Sequence, residues 1–147
     1  GFRKIDPEVA MEKNTWFHLG RNSCEEILYC LRRIADPCEE HVDNNFVPLS
    51  KEQVKEYIPL RDTVLFLLRR TEKILQTDSY DEVDEVRREA EELKDCLEKA
   101  REAQMQRMQS SKENIAVAYL YLNLLQETRE LTSSLRHLLR ASKGFRE

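Results

Sequence analysis

Apolar positions along the chain fall into four segments in which hydrophobic residues return at alternating steps of three and four, the spacing that lines one face of an α-helix. In the first, Cys24, Ile27, Leu31, Ile34, Cys38 and His41 or Val42 carry the stripe, which starts near Asn14 or Trp16 and fades by Asn44 and Asn45. VDNNFVPLS connects it to a second segment marked by Val54, Tyr57, Val64, Leu68 and Leu75. Ser50 followed three residues later by Gln53 predicts a capping box at that helix start. Pro59, inside the second segment, predicts a kink or a detached leading turn, because proline removes a backbone donor and crowds the preceding turn.

The third stripe runs through Val83, Val86, Ala90, Leu93, Leu97 and Ala100, and the pair Ser79 and Glu82 predicts its cap. Ser110 with Glu113 offers another box, so the chain is expected to break near QSSKE. The fourth stripe is Val117, Tyr121, Leu124, Leu131, Leu135 and Leu138, with Gly144 in RASKGF placed as a stop signal. Helices of roughly 26 to 32 residues would each be about 40 to 48 Å long at the α-helical rise. Short connectors make neighbours antiparallel, so the expected architecture is an all-α, up-and-down bundle of four long helices. Residues 1–13 would form a flexible leader, 14–143 the bundle and 144–147 a tail.

The run IAVAYLYLNLL, residues 115 to 125, is apolar on nearly every face. A helix apolar all round is normally covered all round. A partner surface is therefore expected there, with Tyr119, Leu120, Leu122 and Leu125 as its contact residues and a second copy of the chain as one possible occupant.

Composition agrees with long charged helices, since 35% of the 147 residues are charged and only 3 are Gly and 4 Pro. A net charge of -4, with basic and acidic residues well mixed, provides no strong attraction for nucleic acid or anionic lipid. No run of apolar residues is long enough to span a bilayer. The four cysteines, Cys24, Cys30, Cys38 and Cys96, form no CxxC pair and read as small, reduced core residues of a cytosolic protein. The chain begins Gly-Phe-Arg, which reads as a soluble piece cut from something longer.

Catalytic chemistry finds no support. His18, His41 and His137 follow Thr15, Cys38 and Ser134 at the position where a bundle di-metal motif places Glu. No phosphate-binding glycine loop is present. Cys38 and His41 lie one turn apart, but both fall on the inward stripe, where a packed thiol is expected rather than a nucleophile. The chain is not expected to be an enzyme or to need a cofactor.

RRIADPCEEHVDN, residues 32 to 44, resembles a degraded form of the ERIGDHxxNI element of PhoU-like phosphate-regulatory proteins. YLNLLQETRELTSSL, residues 121 to 135, is similar to the hydrophobic stretch followed by ERxxDHxxN of the same family. On this reading 51–77, 79–109 and 111–143 form one three-helix repeat, and the first segment stands for the last helix of a preceding repeat. A single repeat with a leading helix looks like the C-terminal cytosolic domain of bacterial sodium/phosphate cotransporters, and HVDNNFVPLS and LYLNLLQETRELTSSLRHLLRASK carry that likeness most. The resemblance implies a regulatory module on the cytoplasmic face of the inner membrane, partnered by the transmembrane transport domain of its own polypeptide.

The family's outward carboxylates can gather iron, zinc or magnesium, and here Arg32 and Asp36, with Gln126 and Glu130, occupy those places. At about 100° per residue, Asp36 lies about 200° from Ile34 and Gln126 about 200° from Leu124, so both point away from the core. Arg32 and Gln126 nevertheless replace carboxylates with a cation and a neutral amide, while hard cations want several anionic oxygens. Asp36, Glu40, Glu127 and Glu130 remain as weak metal candidates. The plainer reading of Arg32 and Asp36 is an exposed i, i+4 pair worth a few tenths of a kcal/mol, with Pro37 bending the helix beside it.

Overall fold

The computed structural model describes residues 49–110 and 112–146. The first predicted segment, with Arg32, Asp36, Pro37 and Glu40, lies outside the described residues. Among the described residues every regular element is helical.

Ser50 starts α1 (Lys51–Thr77, 27 residues) through a complete capping box: its hydroxyl accepts from the Gln53 amide at 3.1 Å, and Gln53 Oε1 accepts from the Ser50 amide at 2.9 Å. Pro59 lies inside one continuous helix, so of the two expected outcomes, a kink or a detached leading turn, the detachment does not occur. The carbonyl that loses its partner belongs to exposed Lys55, so water can satisfy it, and Thr63 Oγ1 donates to the Pro59 carbonyl at 2.9 Å. Asp78 ends α1 in the left-handed region at φ 54°, a conformation that Asp tolerates better than most residues.

A single 3₁₀ turn, Tyr80–Glu82, leads into α2 (Val83–Ser110, 28 residues). The predicted Ser79 box is not formed; the Ser79 side chain makes no capping hydrogen bond, and the 3₁₀ turn supplies the entry geometry instead. Nor does Ser110 cap the last helix. It closes α2 by donating to the Gln106 carbonyl at 3.0 Å. Asn114 takes the capping role, with Oδ1 accepting from the Val117 amide at 3.2 Å. Then α3 (Ile115–Arg146, 32 residues) continues past Gly144 rather than stopping there.

The core is the third and fourth stripes almost as read. Val83, Val86, Ala90, Leu93, Leu97 and Ala100 of α2 are all buried, as are Tyr121, Leu124, Leu131, Leu135 and Leu138 of α3. On α1 the stripe is shifted: Val54 is exposed, Gln53 is buried in its stead, and Tyr57, Val64, Leu67 and Ile74 carry the packing. Cys96 also departs from expectation, being exposed on α2 rather than in the core.

Ion pairs fix the direction of each helix. Arg129, Arg136 and Lys143 of α3 meet Glu98, Glu91 and Asp84 of α2 at 3.6, 2.6 and 3.4 Å. Each step of seven residues up α3 matches seven down α2, which defines an antiparallel pair in heptad register. Arg70 near the end of α1 reaches Glu82 of the 3₁₀ turn and Glu85 and Glu89 at the start of α2, at 3.7, 3.4 and 2.9 Å. Hence α1 and α2 are antiparallel, and α1 and α3 run parallel, with the thinnest of the three seams between them.

Candidate functional site

Two regions of α3 carry the residues that the sequence singled out. The carboxylate positions come first. Gln126 and Glu130 are exposed and bond to each other, Nε2 to Oε1 at 3.2 Å, one turn apart on the same helix. Glu127 is not beside them on the surface: it is buried, 7% exposed. The placement follows from helical geometry, since 127 lies a full 100° around from 126. Asp36 and Glu40, the other half of the metal set, lie outside the described residues. Among the described residues no group of three or more His, Cys, Asp or Glu side chains is arranged to hold a metal ion.

The second region is the end of the bundle where α2 turns into α3. Ile115 and Tyr119 are 68% and 62% exposed, and exposed Met105 lies on the adjoining part of α2. Met108, Glu113, Ile115, Ala118 and Tyr119 line an open cavity of about 220 Å³. Of the four expected contact residues, Tyr119 is on this surface and Leu122 is half-buried about 60° from it on the helix. Leu120 is half-buried on the opposite flank of α3. Leu125 sits in the core at 1% exposure, where it packs the bundle and offers nothing to a partner.

Under this apolar tip lies a polar network that sequence periodicity did not reveal. Arg107, half-buried near the end of α2, donates to both Glu56 oxygens at 3.1 and 3.3 Å and approaches Glu113 at 3.7 Å and Glu52 at 3.8 Å. It also donates to Gln104 Oε1 at 2.7 Å. Buried Gln104 accepts from Gln53 Nε2 at 3.2 Å and donates to Glu113 Oε2 at 2.7 Å. Tyr121 of α3 donates its phenol to Glu56 Oε1 at 2.6 Å. The Glu56 hydrogen bond, opposed by burial, holds the Arg107 guanidinium above its usual pKa. Burial foremost, then the bond to Glu56, pushes the Tyr121 phenol well above its ordinary value.

No family model, curated protein or solved structure matches this chain.

The network can do little chemistry, because its acids are bonded to a fixed cation and its phenol is held neutral. Its hydrogen bonds tie α1, α2 and the first turns of α3 together beneath Tyr119 and Ile115. The signal for it in the sequence was the alternation of Gln53, Glu56 and Tyr57 at the start of α1, where apolar residues alone would have been expected. No helix among the described residues is long and apolar enough to cross a membrane.

Proposed function

We propose that this chain is a non-catalytic, PhoU-like helical domain that regulates a sodium-dependent phosphate transporter from the cytoplasmic face of the inner membrane. In this reading residues 14–45 supply a fourth, leading helix, and the domain tunes phosphate uptake by contacting the transmembrane portion of its own polypeptide or a second copy of itself. The reading is carried by one observation: three long helices of 27, 28 and 32 residues follow one another where the three-helix repeat was expected, and the last begins in an exposed apolar tip. Exposed Ile115 and Tyr119 leave apolar surface at this end of the bundle, which suits docking.

The test is direct. The coding sequence upstream is expected to encode a series of apolar membrane spans. In cells carrying that whole gene, Tyr119→Glu should change the rate of sodium-dependent phosphate uptake without lowering the amount of protein. Absence of upstream spans, or uptake indifferent to the substitution, would remove the transporter reading.

A further inference from the structure

One side of α1 is apolar without facing the bundle. Val54, Ile58 and Leu65 are 40%, 40% and 37% exposed and lie within about 40° of one another around the helix, with Arg61 at the intervening heptad place. Phe66, 54% exposed, borders them with the Arg70 guanidinium 5.7 Å from its ring centroid. The residues that α1 gives to the core, Tyr57, Val64, Leu67, Thr71 and Ile74, centre roughly 130° away from this stripe. It is therefore a second face of the helix and not the edge of the seams to α2 and α3. Exposed Lys51, Lys55 and Asp62 stand along its flank. Asp62 accepts from Arg61 of its own chain through Oδ1, at 3.2 and 3.3 Å.

The stripe is complementary to its own reverse. In an antiparallel pair of identical helices related by a two-fold axis, residues on the same flank face each other when their numbers add to a constant. With the axis level with residue 59 that constant is about 118. Val54 then faces the partner's Leu65 on both sides of the axis, Ile58 meets its own copy at the centre, and Lys55 faces the partner's Asp62 twice. Lys55 and Asp62 are seven residues apart and so share a flank. Lys51 comes level with the partner's Phe66, where an ammonium over an aromatic ring is attracted by it.

Other registers lose this match. With the axis at Asp62, that carboxylate meets its own copy and Lys55 meets the partner's Arg69, like charge against like. With the axis at Leu65, Val54 lies opposite Gln76 and Ile58 opposite the charged pair Glu72 and Lys73, so two of the three apolar positions find no apolar neighbour.

We propose that α1 pairs with α1 of a second copy of this chain, antiparallel and centred beside Ile58. The occupant is another copy rather than an unrelated protein because both the apolar positions and the charges answer themselves on reversal. Val54, Ile58 and Leu65 serve association here and not the fold of the single chain, whose core they do not enter. The proposal goes beyond the regulatory reading and depends neither on phosphate nor on what the tip at Ile115 and Tyr119 contacts.

Cross-linking of the full chain tests it. With Cys24, Cys30, Cys38 and Cys96 replaced by Ser, a single thiol is introduced as Ile58→Cys and oxidised with copper phenanthroline. A disulfide needs the two Cα atoms within roughly 7 Å, which a residue beside the axis satisfies. The expected product is a dimer of twice the chain mass, while Gln76→Cys on the same face, far from the axis, stays reduced. Charge reversal at exposed sites provides the second arm, read by sedimentation in the native-cysteine chain under reducing conditions. Lys55→Asp or Asp62→Lys alone sets two like-charge contacts in the dimer and should weaken it by about tenfold or more, and the two together should restore it. A thiol at residue 58 that stays reduced in a chain of normal helix content assigns the face to some other occupant. Equal cross-linking at 58 and 76 reduces the contact to random collision, and a double reversal no tighter than the single ones removes the facing of Lys55 and Asp62. Any of these overturns the proposal.

Discussion

The Tyr121 hydroxyl and the Glu56 carboxylate, 65 residues apart in sequence, meet at 2.6 Å across the seam between α1 and α3. The pair links two parallel helices that otherwise touch least, and it does so beneath the apolar tip. Tyr57 reinforces the same place, with its ring edge-on to that of Tyr121 at a centroid distance of 6.4 Å.

Tyr121→Phe removes the bond and keeps the ring. The expected loss is about 1 kcal/mol in urea denaturation, with Glu56 still held by Arg107. An unchanged midpoint would show that the contact contributes nothing to stability.

The same phenol sets an alkaline limit. Its folded pKa lies above the unfolded value of 10.0, so the unfolded chain loses the proton first. Stability from this group is therefore whole below pH 10 and declines as the pH rises from there toward the folded value. Tyr121→Phe should flatten that part of the profile, measured as denaturation midpoint against pH.

Asn114→Ala should cost about 1 kcal/mol, the usual worth of an N-cap, while Ser110→Ala should be close to neutral. Thermal melts of both variants distinguish the observed cap from the one that the S-x-x-E pattern suggested.

Leu135→Ala, at a fully buried site between the helices, should destabilise by about 2 to 5 kcal/mol. Ile58→Ala, at an exposed position of α1, should cost well under 1 kcal/mol. Equal losses at the two sites would contradict the assignment of the core.

Tyr119→Glu with Leu122→Glu should weaken self-association while circular dichroism reports the same helix content. Sedimentation that finds an unchanged mass for the double variant, or a monomeric parent, would dispose of the second copy as occupant of the tip.

Much of the bundle was legible from local pattern alone. Val83, Val86, Ala90, Leu93, Leu97 and Ala100 could be placed in the core because helical periodicity depends only on neighbours within two turns, and the capping box of Ser50 and Gln53 is equally local. The failures share one cause. Ser110 and Asn114 are both acceptable caps, and the choice fell to Asn114 once Glu113 was drawn into the Arg107 and Gln104 cluster from α2. Gln53 displaced Val54 from the interior because Gln104 was there to satisfy its amide.

The sequence by itself thus determined that the chain forms long amphipathic helices and roughly where they start, since backbone hydrogen bonding and side-chain spacing are settled within a few residues. Only the tertiary structure decided which faces meet. Leu125 went inward and Tyr119 outward from one uniformly apolar run, and Glu127 was buried while Gln126 and Glu130 stayed in water, because burial depends on what a distant part of the chain brings to each side of the helix.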